Sequence, residues 1–199
     1  AHPRRADYSI LLAELRQLQG KPDEAIAGFR QALKLEPENP RLLTVLGTLL
    51  LNRGEHRASA EYLHKAVRKS PKDIVTLNNY VWVTAVELKN PAHALPYAEQ
   101  LELLAPDNAH ALDTVGWVYF LNKEFAKAEK TLKYAATLSP RSGEVAFHHA
   151  MTLLQNGKHA EALQEFRRAC EIDKQFKSIQ EAQRLIVELE KNPRTTAIK

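Results

Sequence analysis

Apolar residues recur along this chain at two spacings, one local and one long. Locally they fall at i, i+3 and i+7, as in Leu43, Leu46 and Leu50 and again in Leu112, Val115 and Tyr119. That spacing puts three side chains on one face of an α-helix. Over the longer range the pattern returns every 34 or 35 residues. Pro37, Pro71, Pro106 and Pro140 are spaced 34, 35 and 34 apart, Gly20 and Gly54 are 34 apart, and Gly47 and Gly116 are 69 apart. A fixed period of this size marks a repeat array, in which each unit buries its apolar face against its neighbours.

Set in register, the chain divides into units at 6–39, 40–73, 74–108, 109–142 and 143–176, the third longer by one residue. Each unit predicts two helices. The first carries its apolar stripe at unit positions 4, 7 and 11, with a small residue at position 8: Ala13, Gly47, Gly116 and Ala150. Val81 breaks that rule in the third unit. A glycine inside a helix costs about 1 kcal/mol relative to alanine, so its return at one position predicts close helix approach. The second helix carries Ala25, Phe29, Ala32; Ser59, Leu63, Ala66; Ala94, Ala98, Leu101; Ala128, Leu132, Ala135; Ala162, Phe166, Ala169, which read small, large, small in every unit but the third. Gly20, Gly54 and Gly157 suit a helix C-terminus at positive φ. Asn39, Asp73, Asn108 and Ser142 precede the following first helices and are good N-caps, and Pro40 suits a first helical position.

Beyond the fifth unit, Ile179, Ala182, Leu185, Ile186 and Leu189 share one helical face. They predict a capping helix over 177–191 that covers the last unit. Asn192 and Pro193 stop it, leaving a loose tail over 192–199. No such cap precedes the first unit, and the chain opens on Ala1 rather than Met; the expectation is a fragment or processed product of a longer protein.

The combined pattern resembles the tetratricopeptide repeat over residues 6–176. It departs at Ser9 and Arg16, at the extra residue of the third unit, and at Lys174, where a closing proline is usual. The resemblance implies an all-α fold: a right-handed superhelical solenoid of helix-turn-helix repeats with a C-terminal capping helix. It further implies that the first helices line a concave wall, which binds peptides or partner segments mainly through unit positions 2, 5, 9, 12 and 13. On those positions the candidate partner-binding residues are Thr48, Asn52, Asn78, Trp82, Asp113, Trp117, Phe120, Phe147 and Met151. Both tryptophans occupy position 9 in adjacent units, and Met151 follows there in the next. Either a partner or the chain's own helices cover these rings. Some family members clamp a peptide carboxylate with Lys, Asn and Arg at positions 5 and 9; Thr44/Thr48, Asn78/Trp82 and Asp113/Trp117 replace that set. The expected partner is therefore an apolar protein or peptide segment.

Composition narrows the alternatives. The 199 residues are 44% hydrophobic and 26% charged, with a net charge of +4. Lys and Arg are scattered, which argues against a nucleic-acid partner, and no apolar run is long enough for a transmembrane segment. The single Cys170 excludes an internal disulfide, and its neighbours in sequence supply no base for a nucleophile. No phosphate-cradling glycine loop and no His-Glu-x-x-His motif occur. His148 and His149 are adjacent, so their side chains point about 100° apart on a helix and do not share a metal readily. His149, on core position 7, is expected to be held by a buried hydrogen bond. No enzyme active site, cofactor or metal is expected. The stretch from Leu77 onward also resembles units of bacterial cell-envelope tetratricopeptide proteins at exosortase and exopolysaccharide loci. The compartment stays open between cytoplasm and bacterial periplasm or envelope. The leading expectation is a non-enzymatic scaffold. The alternatives are a regulatory or targeting array of a larger enzyme or export assembly, and self-association of stacked arrays.

Overall fold

The computed structural model describes residues 3–192, with side chains from Ala6 onward. The tail expected over 192–199 lies outside these residues from 193 on. Among the described residues there are eleven α-helices, one π-helical turn and no strand. They run as α1 (Pro3–Leu18), α2 (Pro22–Leu35), α3 (Pro40–Asn52), α4 (His56–Lys69) and α5 (Ile74–Trp82), then the π turn Val83–Glu87. α6 (Pro91–Leu104), α7 (Ala109–Leu121), α8 (Phe125–Leu138), α9 (Gly143–Gln155), α10 (His159–Ile172) and α11 (Ile179–Lys191) follow.

Local chemistry sets the ends of these helices. Asn39, Asp73, Asn108 and Ser142 each accept a hydrogen bond from the backbone N–H three residues on, those of Leu42, Thr76, Ala111 and Val145. Each bond satisfies one orphan donor of the first turn. Inside the pairs, Gly54 turns the chain at φ 78°, and Gly20 and Gly157 do the same. Lys123 holds the equivalent place at φ 64°, where it carries the steric cost that glycine avoids. These turns close alike: the N–H groups of Lys21, Glu55, Glu124 and Lys158 each bond a carbonyl five residues back.

The third repeat closes differently. Asn90 N–H reaches Thr84 O, six residues back, and Leu88 N–H bonds Val83 O. The extra residue seen in the sequence is thus taken up by the π turn at Val83–Glu87. A π turn is the ordinary way a helix absorbs one inserted residue without breaking. Lys89, just beyond it, takes the positive φ of 54°.

The chain forms two compact bodies, one ending at Ala94 and the other beginning at Leu95. In the first, α1 packs on α2 and α3 on α4. Phe29 of α2 sits among Ala13, Ile26, Ala32, Leu42, Leu46 and Leu49. A Cβ on Gly47 would lie 2.6 Å from Leu63 Cγ, so the glycine is what lets α3 and α4 approach. In the second body Gly116 does the same: its Cβ would lie 2.5 Å from Leu132 Cγ of α8. α11 lays Ala182, Leu185 and Leu189 over a core that contains Phe147, Ala150, Phe166 and Phe176. No helix among the described residues is long and apolar enough to cross a membrane.

Candidate functional site

The expected contact residues sit on first helices, and the structure distributes them between inter-helix contacts and partly open surface. In the first body, α3 and α5 are stitched together by polar side chains. Thr44 and Thr76 share a 2.6 Å hydrogen bond, and Asn79 donates to Thr48 Oγ at 3.0 Å. Thr48 Oγ also donates to Thr44 O, so this candidate is engaged within the fold. Asn52 is exposed at the end of α3, and Asn78 is buried. Trp82 is half-buried and immediately precedes the π turn. A cavity of about 360 Å3 opens beside α3 and α5, lined by Arg41, Thr44, Val45, Val75 and Thr76 among others. Val75 is the most exposed apolar residue of that wall, at 62%. The cavity includes unit position 2 of both helices, which the sequence marked only in general terms.

The second body replaces these hydroxyls with rings and charges. Trp117 lies between Phe120 and His148. Its ring is 4.5 Å from Phe120 and nearly parallel to it, and 4.2 Å from the imidazole at 21°. The His148 Nδ1 stands 2.8 Å from Asp113 Oδ1, and its Nε2 stands 3.6 Å from Glu144 Oε1. Glu144 in turn accepts bonds from the backbone N–H and hydroxyl of Ser178. A polar chain therefore runs from α7 through α9 to the entrance of α11: its buried Asp113–His148 link and its Glu144–Ser178 link are hydrogen bonds, and His148 and Glu144 face each other at an ion-pair distance.

This arrangement corrects two sequence expectations. The buried, hydrogen-bonded histidine is His148, not His149. Position 6 of α9 meets positions 5 and 9 of α7, whereas His149 faces its own repeat, with Nδ1 3.5 Å from Glu165 Oε1. That is an ion-pair distance rather than a well-formed hydrogen bond, and His149 makes none. Second, Asp113 and Phe147 are buried, as Asn78 is. Asp113 is committed to His148, and Phe147 packs between Phe166 and Phe176, with ring centroids 5.7 and 6.2 Å away. Trp117, Phe120 and Met151 keep partial exposure. The position-6 residues Asn79 and His148 were missed because family contact positions skip them. Yet they meet position 9 of the preceding first helix in both bodies.

The remaining reactive groups are held by packing. Cys170 packs against the core beneath α11; burial pushes its thiol up and Lys174 only partly opposes this, the opposite of an activated nucleophile. His64 stacks on Tyr80 at 5.3 Å, and the Tyr80 hydroxyl lies 3.1 Å from His93 Nε2. Burial, then the charges of Arg68 and His93, holds the His64 pKa below its ordinary value. Among the described residues no group of three or more His, Cys, Asp or Glu side chains is placed to hold a metal ion.

Comparison with known proteins converges on one family. The tetratricopeptide repeat model matches residues 2–74 and 116–175. BBSome complex member BBS4 of Bos taurus is 24% identical, covering 87% of this chain and 40% of its own length. A TPR repeat-containing protein of Pseudomonas aeruginosa is 26% identical over 74% of this chain and 26% of its own length. The chain thus spans less than half of these relatives. Among solved structures, MamA of Desulfovibrio magneticus RS-1 superimposes with a TM-score of 0.78 at 21% identity, covering 87% of this chain and 98% of that one. YrrB, a TPR protein with an unusual peptide-binding site, gives 0.74 at 17% identity over 92% and 90%. Helix pairs at a 34-residue period, small residues at the pair crossing and a family match over most of the length agree: the chain belongs to the tetratricopeptide repeat family.

Proposed function

We propose that this protein-interaction scaffold holds an apolar partner segment against its first helices, with Trp117 and Phe120 as anchors in the second body. The observation that carries this reading is the ring stack. Trp117 is wedged between Phe120 and His148, and His148 is itself fixed by Asp113. Both aromatic rings keep part of their surface open. Rings pinned before a partner arrives lose little side-chain freedom on binding, which favours affinity, and aromatic residues are the usual anchors of such interfaces. Met151, half-buried on α9, offers an adaptable apolar neighbour. In the first body, Trp82 and Asn52 are the counterparts with exposed surface, whereas Thr48 serves the fold. That YrrB carries a peptide-binding site supports a peptide as occupant. A second reading, an interaction array within a larger enzyme or export assembly, is favoured by the greater length of the curated relatives.

The test selects peptides from a displayed random library against the immobilised chain, then titrates one winner. Phe120→Ala should weaken binding about 30-fold, the effect of losing an anchor worth about 2 kcal/mol, with little change in melting. Trp117→Ala should weaken binding as well, but it also uncovers His148 and so lowers the melting temperature. Peptides whose affinity is unchanged by Phe120→Ala would remove this surface as the site.

A further inference from the structure

One helix face in the first body is left bare in a way that identifies its occupant. On α1, Tyr8, Leu11, Leu12, Leu15 and Leu18 are exposed by 69, 66, 40, 48 and 86%. They follow the i, i+3, i+4, i+7, i+10 spacing of a single apolar stripe. Five large apolar side chains on one stripe exceed the scattered exposure normal for a surface.

The repeat period names what belongs there. The residues 34 positions on from the first four are Leu42, Val45, Leu46 and Leu49 of α3. Those four pack in the first core cluster with Ile26, Phe29, Ala32 and Leu33 of α2. A second helix therefore covers this stripe wherever the repeat interface is complete. The same positions are filled in the second body, where Ala111, Val115 and Val118 on α7 are buried and Val145 on α9 packs with Ala135 and Ala136 of α8.

We propose that the α1 stripe is one more interface of this series. Its occupant is the second helix of a further tetratricopeptide unit, set ahead of α1 in the same polypeptide and presenting a small-large-small stripe like that of Ala25, Phe29 and Ala32. Size complementarity favours this over pairing with another copy. The bare stripe carries only large side chains, and two such stripes face to face lack the alanines that admit them at the α2–α3 interface. Stacking of copies in series fares no better. The solvent side of α11 carries Gln183, Arg184, Glu188, Glu190 and Lys191, all exposed, with Val187 as its large exposed apolar residue.

The test duplicates residues 6–34 and joins the duplicate in frame ahead of the whole chain, so that residues 1–5 complete its 34-residue period. Hydrogen exchange then follows the amides of Asp7–Leu18 in the original α1. These should slow at least tenfold, and the melting temperature should rise by about 5 °C, because an array gains one unit and one interface. Phe29→Glu placed in the added duplicate alone should abolish the protection. Unchanged exchange in the original α1 would overturn the proposal. So would a concentration-dependent dimer of the present chain that is lost on Leu11→Gln with Leu15→Gln, since a second copy would then be the occupant.

Discussion

Replacing Gly116 with alanine sets two known effects against each other, and the structure decides which wins. Alanine in mid-helix is favoured over glycine by about 1 kcal/mol, so propensity alone raises stability. Its Cβ, however, would sit 2.5 Å from Leu132 Cγ, 2.9 Å from Cδ2 and 3.3 Å from Cδ1. Leu132 is fully buried, and the contact begins at its branch carbon rather than a mobile tip. Overpacking of this kind costs about 1–3 kcal/mol. The expected net effect is a loss of about 1 kcal/mol, or about 3 °C in melting temperature for a chain of this size. Other repeats show the compensating change. Ala13 shares a core with Phe29, and Ala150 with Phe166, so alanine at position 8 goes with phenylalanine at the register position of Leu132, and glycine with leucine; in the first repeat Gly28 also makes room, its Cβ site lying 2.8 Å from that of Ala13. Gly116→Ala combined with Leu132→Phe should therefore be more stable than the sum of the single changes by about 1 kcal/mol. The assay is urea and thermal unfolding by circular dichroism across the double-mutant cycle. A stabilised Gly116→Ala protein, or strict additivity, would refute the crossing geometry.

Two further outcomes follow from the second body. His148→Leu should destabilise by about 3 kcal/mol, because Asp113 keeps its burial and loses the partner 2.8 Å away; adding Asp113→Leu should return part of that loss, which chemical denaturation will show. Burial, then the hydrogen bond to Glu102, raises the Tyr119 phenol well above its ordinary pKa near 10. The unfolded chain thus loses this proton first, so the contribution is intact below about pH 10 and declines as pH rises beyond it. Tyr119→Phe should flatten the alkaline fall of the urea midpoint between pH 9 and 11, and an unchanged slope would assign that fall elsewhere.

How much of this was legible in the sequence follows from where each signal is written. Capping and crossing are local to a repeat, so they show as fixed residues at fixed positions: the side-chain oxygens of Asn39, Asp73, Asn108 and Ser142 bond the N–H groups their position implies. The exception at Val81 was also visible, and it comes with its converse. At the register position where other repeats carry Phe or Leu, the third carries Ala98, and both residues are buried. The location of the extra residue was not legible, because a one-residue insertion leaves the same count wherever it falls; only the Asn90–Thr84 bond places it in the π turn.

The contact surface was harder to read for a related reason. Positions counted along one helix say which side chains leave its core face, but not which the next first helix then claims. Asp113 and Trp117 both leave the core stripe of α7, yet one is spent on His148 and the other is half covered by it. Thr48 is spent on Asn79 in the same way. The residue that decides is at position 6 of the following repeat, and its size and polarity set how much of position 9 stays open. With asparagine there, Thr48 is tied down by a hydrogen bond. With histidine, a tryptophan is pinned by stacking and keeps part of its ring exposed. The openness of position 9 in these two places thus depends on pairs of residues 31 positions apart, Thr48 with Asn79 and Trp117 with His148. If Trp117 anchors a partner as proposed, changing His148 should alter the affinity of a selected peptide even though the imidazole itself is buried.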